Sequence, residues 1–201
     1  MKLDPFYLIV DSASWIERLV PLGVRLVQLR IKDRDAATLR AEIRSAKVVC
    51  DAHGCKLVVN DHWRLAMEEG VEWVHLGQED LVAADREVIR RAGLKLGLSS
   101  HDHAELAAAL AAEPDYVALG PIYPTILKAM KWAPQGVERL REWRGRIGTL
   151  PLVAIGGLNP QRLPGVFAGG ADSAAVVTDI TLNPNPEART REWIAATAHR
   201  R

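Results

Sequence analysis

Short apolar runs alternate with amphipathic segments eight times along this chain, and few architectures accept that pattern. The runs are "FYLIVD" (6–11), "LVQLRIK" (26–32), "KLVVND" (56–61), "WVHLGQ" (73–78), "KLGLSS" (95–100), "YVALGPI" (116–122), "PLVAIGG" (151–157) and "SAAVVTDI" (173–180). Helical patterns cover 14–22, 36–52, 62–69, 82–92, 103–112, 136–146, 159–168 and 186–198. Gly23, Gly54, Gly70 and Gly93 follow helix ends, and Asn159–Pro160 and Asn185–Pro186 read as an N-cap followed by a first-turn proline. Strands joined by short connections through helices pair in parallel with right-handed crossovers, and eight such units close a (β/α)₈ TIM barrel. The expectation is one α/β domain over 1–201, a small member of that class. A doubly wound open sheet is disfavoured because no G-x-G-x-x-G follows the first strand.

An apolar share of 48% and a charged share of 25% suit an ordinary soluble domain, and a formal charge of +1 gives no reason to invoke nucleic acid or a membrane surface. The N-terminal apolar run is too short for a signal peptide or a membrane span. Cys50 and Cys55 lack the second ligand pair of a zinc site and read as reduced thiols in a cytoplasmic protein. The tryptophans read as packing residues. The sequence sets no oligomeric state, and a homo-oligomer stays open.

In a barrel the strand C-termini and the loops that follow them form the active face. Asp61 and Asp80 close the third and fourth strands and should be neighbours there. Alternation in "QLRIK" puts Gln28, Arg30 and Lys32 on the lumen side and Leu29 and Ile31 under the helices. Buried cations need partners, which leaves either internal carboxylates such as Asp61 or Asp11, or an anionic ligand. Two carboxylates facing cations resemble a magnesium-phosphate arrangement, in which Mg²⁺ takes one or two carboxylates and fills its shell with water and phosphate oxygens. "GPIYPTILKAMK" (120–131) offers Lys128, with Lys131 in reserve, and Ser99 can donate to the same anion. Gly156 and Gly157, after strand seven, permit close backbone approach to a phosphate. His53 and His199 read as solvent residues, His75 as a satisfied core histidine that could face the lumen.

The ordered segments "VQLRIK", "VVND", "VHLGQED", "GLSSH", "DYVALGPIYPT..K", "VAIGG" and "GADSAAVV" resemble the thiamine phosphate synthase family over nearly the whole chain. The resemblance implies a TIM barrel that joins a pyrimidine methyl diphosphate to a thiazole phosphate and releases pyrophosphate, with Mg²⁺ as cofactor. It also implies that Gln28, Leu29, Arg30, Ile31, Lys32, Asn60, Ser99 and Lys128 bind the pyrimidine diphosphate, and that Asp61 and Asp80 hold the magnesium. Thr125, Ile126, Leu127, Gly157, Val177 and Thr178 are implied to receive the thiazole phosphate. The implied substitution is dissociative, with Arg30, Ser99 and Lys128 assisting the leaving group.

Three positions depart from the family pattern. Leu127 stands where the strand-six loop usually has a hydroxyl, Asp179 adds a carboxylate beside the thiazole-phosphate strand, and His62 follows the first aspartate. Two other functions fit the same barrel. A thiazole tautomerase would not need the whole diphosphate set, and a non-catalytic phospho-ligand sensor would draw support only from Leu127 and Asp179.

Overall fold

A computed structural model describes residues 2–125 and 132–201 and contains eight strands, β1 Phe6–Val10, β2 Leu26–Leu29, β3 Lys56–Asn60, β4 Trp73–Leu76, β5 Lys95–Ser100, β6 Tyr116–Leu119, β7 Leu152–Ile155 and β8 Ser173–Val176. Each pairs in parallel with the next in sequence, and β8 pairs with β1, which closes the barrel. The described helices are α1 Ala13–Leu19, α2 Ala36–Ala52, α3 Trp63–Glu68, α4 Gln78–Ala83, α5 Arg86–Arg91, α6 His103–Ala111, α7 Gly136–Ile147, α8 Leu163–Ala168, α9 Thr178–Thr181 and α10 Pro186–Thr197.

Alternation along the strands divides the apolar residues into two layers. Phe6, Leu8 and Val10, Val27 and Leu29, Leu57 and Val59, and Val74 and Leu76 pack outward against the helices. Tyr7, Ile9, Leu26, Val58, Trp73, Tyr116, Ala118, Val153 and Ala175 fill the lumen. Trp63, Trp73, Trp143 and Trp193 are buried as expected, and Trp193 stacks on Phe6 with ring centroids 5.5 Å apart. Fully burying a side chain of this size contributes about 2–3 kcal/mol, so the two layers dominate the fold's stability.

Local punctuation follows the sequence. Asn159 and Asn185 cap their segments by accepting from Arg162 N and Ala188 N, and Gly23, Gly54, Gly70 and Gly93 all adopt positive φ at helix ends. Several boundaries move. The strands expected over 116–122 and 151–157 span Tyr116–Leu119 and Leu152–Ile155. The helix expected over 159–168 opens with a 3-10 turn at Pro160–Arg162 before α8. The strand expected over 26–32 stops at Leu29, because Arg30 N–H still bonds Val10 O but the chain then leaves the sheet. The strand expected over 73–78 stops at Leu76, and the helix expected over 82–92 is two, α4 and α5, with Asp85 capping the second. The strand expected over 173–180 stops at Val176, and α9 begins at Thr178. Among the described residues no helix is long and apolar enough to cross a membrane. Cys50 and Cys55 are both free and buried.

Candidate active site at the C-terminal rim

The rim where the strands end collects most of the expected residues. Asn60 is the last residue of β3, and its register partner on β4 is His75. Asp61 follows with φ +62°, a left-handed conformation that aspartate tolerates better than most residues. Its N–H donates to His75 O at 2.9 Å, which fixes the turn to β4. Asp80 does not end a strand, as expected from sequence, but sits in the first turn of α4. The turn at Gly77 nevertheless brings it close to Asp61, near enough for the two carboxylates to act on each other. Burial, together with the charge of Asp61, raises Asp80 above the ordinary carboxylate range, and Lys32 offsets part of that.

The cations are rim residues rather than lumen residues. Lys32 is exposed, and its Nζ lies 3.3 Å from Asp61 Oδ2, so the internal partner foreseen for it is present. Arg30 is half-buried and, among the described residues, its guanidinium has neither an ion pair nor a hydrogen bond. Asp11, the other suggested partner, is exposed. Asn60 is buried, yet its side-chain amide also lacks a described partner. Among the described residues, two polar side chains without a hydrogen-bond partner therefore share one rim with an acid pair.

Only Gln28 of the polar trio lies inside the barrel, where it donates to the Tyr7 hydroxyl at 2.9 Å. Leu29 and Ile31 are buried in the outer layer, so their side chains face away from the mouth and only their main chain could meet a ligand. Ser99, half-buried near the end of β5, has its Oγ 2.9 Å from His75 Nε2, and its carbonyl accepts from Gln78 Nε2. His75 is both lumen-facing and satisfied, because its Nδ1 lies 2.9 Å from the Tyr116 hydroxyl. Burial pulls its pKa down to about 4, with Asp61 opposing the shift and Arg30 reinforcing it. Sequence reading missed Tyr7, Tyr116 and Gln78. The alternation of "FYLIV" and "YVAL" places both tyrosines on the inner face, but their meeting across the lumen is a tertiary fact.

On the far side of the mouth, Gly156 and Gly157 adopt φ +100° and +64°. Their role is partly steric. A Cβ at Gly156 would come 2.7 Å from Pro121 Cα, and one at Gly157 would come 2.4 Å from Pro124 O. Ile122 N–H and Tyr123 N–H donate to Ile155 O and Gly156 O, so the loops after β6 and β7 are locked together. Thr125, Val177 and Thr178 are half-buried along this side. Ile126, Leu127, Lys128 and Lys131 lie outside the described residues. Asp179, expected as a stray carboxylate beside the strand implied to receive a phosphate, is not a free charge. Arg189 Nε and Nη2 donate to its two oxygens at 2.8 and 2.9 Å, and Trp193 Nε1 donates at 2.7 Å.

Comparison with known proteins agrees with this geometry. The family model described as thiamine monophosphate synthase matches residues 6–180. The thiamine-phosphate synthase of Rhizobium etli is 71% identical over 198 residues, covering 98% of this chain and 97% of that protein. The thiamine-phosphate synthase of Escherichia coli K12 is 47% identical over 192 residues, covering 96% and 88%. Among solved structures, thiamine phosphate pyrophosphorylase from Pyrococcus furiosus superposes with a TM-score of 0.86 at 22% identity, covering 98% of this chain and 96% of that one. With the fold, the ordered segments and these relatives in agreement, the chain belongs to the thiamine monophosphate synthase family.

Proposed function

We propose that this chain joins an aminopyrimidine methyl diphosphate to a thiazole phosphate, giving thiamine phosphate and pyrophosphate. The observation that carries the reading is the closeness of Asp61 and Asp80 on a rim that also holds Arg30, whose guanidinium has no partner among the described residues. A tautomerase or a ligand sensor would have no use for this combination of an acid pair and a free cation.

The donor set fits a magnesium ion. Among the described residues no cluster of three or more His, Cys, Asp or Glu occurs, so a closed zinc-type centre is not formed. Two adjacent carboxylates, one of them raised by burial and by its neighbour, suit a hard divalent ion whose remaining ligands come from water and substrate. Bound there, Mg²⁺ supplies positive charge that offsets the charge of the leaving pyrophosphate.

The chain's own groups do the rest. Arg30 pairs with the diphosphate, where a guanidinium can donate two parallel hydrogen bonds. Lys32 stays with Asp61, 3.3 Å from its Oδ2. Ser99 donates its hydroxyl to the leaving group or the ring beside it, and Asn60 turns its free amide to the pyrimidine. Lys128, by family resemblance, adds a second cation. As the C–O bond to the diphosphate breaks, the electron-rich aminopyrimidine carries the positive charge on its exocyclic carbon, and the thiazole nitrogen attacks that carbon. The chain supplies positioning and leaving-group electrostatics, with no covalent nucleophile. Gly157, Val177, Thr178 and Thr125 receive the thiazole phosphate, at the loops where many barrels bind one. Two free buried thiols support a reducing compartment, the cytoplasm.

Asp80→Ala tests the reading. Calorimetry with the pyrimidine diphosphate should lose its magnesium dependence, and coupling should fall by about 100-fold in kcat/KM, while the circular dichroism spectrum stays unchanged. Retained magnesium-dependent binding in this variant would remove the acid pair from the site.

A further inference from the structure

We infer that His75 is a positioning residue whose Nε2–H fixes Ser99 Oγ, so that the serine's own proton points into the barrel mouth; this rests on the reading that Ser99 donates to the substrate. The inference comes from following donors through a buried chain that crosses the lumen. Gln28 Nε2 donates to the Tyr7 hydroxyl at 2.9 Å. Among the described residues the Tyr7 hydroxyl has one other partner, the Tyr116 hydroxyl at 3.0 Å. A buried O–H with no acceptor costs about 1–3 kcal/mol, so Tyr7 gives its proton to Tyr116. Tyr116 is then left with one acceptor for its own proton, His75 Nδ1 at 2.9 Å. A ring that accepts at Nδ1 carries its single proton on Nε2. That nitrogen lies 2.9 Å from Ser99 Oγ and must be the donor there.

Every hydroxyl in the chain therefore donates in one direction, from Gln28 toward the rim. Ser99 already accepts from His75, and its proton is directed to whatever lies above it. The other tautomer would leave the Tyr116 proton without an acceptor, and the ring is not free to rotate away. Its face is stacked on Tyr116 with centroids 5.6 Å apart, and both phenols are buried and held in their protonated form. The lumen thus orients a rim hydroxyl that is itself half-exposed and would otherwise rotate freely. A serine whose proton turned inward would present lone pairs to an anionic leaving group and repel it.

Two measurements test this. Long-range ¹H–¹⁵N correlation spectra of the unliganded protein at neutral pH, with His75 assigned by its loss in His75→Gln, should show the Nε2-protonated tautomer. A proton on Nδ1, or a cationic ring, overturns the proposal without reference to activity. Kinetics give the second arm. His75→Asn can still meet Tyr116 but cannot reach Ser99, and kcat should fall about 10- to 100-fold with KM little changed. His75→Gln places an amide N–H near the Nε2 position and should recover most of that loss. In a Ser99→Ala background His75→Asn should cost little more, because its effect passes through the serine. Full additivity of two costly substitutions overturns the positioning role alone. A fully active Ser99→Ala enzyme overturns both this inference and the assignment of Ser99 to the site. If His75→Asn does not fold, the tautomer of the unmutated protein decides.

Discussion

His75 shows how a single residue's chemistry is set by where the strands put it. Read in sequence, it was a satisfied core histidine that could turn to the lumen, and it is both. What could not be read was its partner, because Ser99 lies on the next strand and only the register brings the two together. For Asp61 the neighbour was legible, since both aspartates were expected side by side at the rim, but the helix start that delivers Asp80 was not foreseen. Burial also gives His75 a thermodynamic signature. Its pKa falls from the ordinary value of about 6.5 in an unfolded chain to about 4 in the folded protein. The folded state then binds fewer protons than the unfolded state between these values, so this stability is complete above about pH 6.5 and is lost as pH falls toward 4. Urea unfolding of the metal-free protein at pH 7 and pH 4.5 should show wild type losing about 2–3 kcal/mol more than His75→Gln over that interval. An identical loss in both proteins would mean that the ring is not buried neutral.

The long helices α2, α7 and α10 were read from the sequence within a residue, as were β1, β3, β5, α3 and α6. The ends of β2, β4, β6, β7 and β8 and the break between α4 and α5 were not. The eight-residue pattern over 173–180 looked like one strand because "SAAVVTDI" is apolar until its end. In the structure the last four residues of the run belong to the turn and to α9, a single helical turn too short to show any periodicity. The same holds for "QEDLVA", which is α4. The error mattered for Asp179, which sequence placed as a stray charge near a phosphate. As a member of α9 it faces α10 instead, where Arg189 and the Trp193 indole claim both of its oxygens. The carboxylate is therefore a tether between two helices rather than a free charge at the mouth. Asp179→Ala should lower unfolding free energy by about 2–3 kcal/mol, since it strands a partly buried guanidinium and a buried indole N–H. Thiazole-phosphate binding measured by calorimetry should stay close to wild type at a temperature where the variant is folded. A large loss of affinity with unchanged stability would return Asp179 to the site.

At the scale of the whole molecule, eight alternations were enough to specify a closed barrel, because parallel strands linked by right-handed crossovers leave few other arrangements. The interior of that barrel was much less legible. Sequence alternation says which residues face the lumen but not which of them touch, and Tyr7 and Tyr116 meet across 109 positions of chain. One small residue makes that meeting possible. Gly97 sits between His75 and Tyr116 in the strand register, and its φ is not positive, so backbone freedom is not what it contributes. It contributes space. A Cβ at Gly97 would lie 2.0 Å from Tyr116 Cζ and 2.4 Å from its hydroxyl oxygen, inside the volume the ring occupies on its way to His75. Gly97→Ala must therefore push the Tyr116 ring out of a closely packed lumen, with a cost of about 1–3 kcal/mol for the overpacking and the loss of the Tyr7–Tyr116–His75 bonds besides. Denaturant unfolding should show that loss, and the coupling rate should fall with it. Adding Tyr116→Leu to Gly97→Ala removes the clash but not the broken chain, so stability should partly return while kcat does not. Recovery of both together would mean that the lumen chain has no part in turnover and that Gly97 serves packing alone.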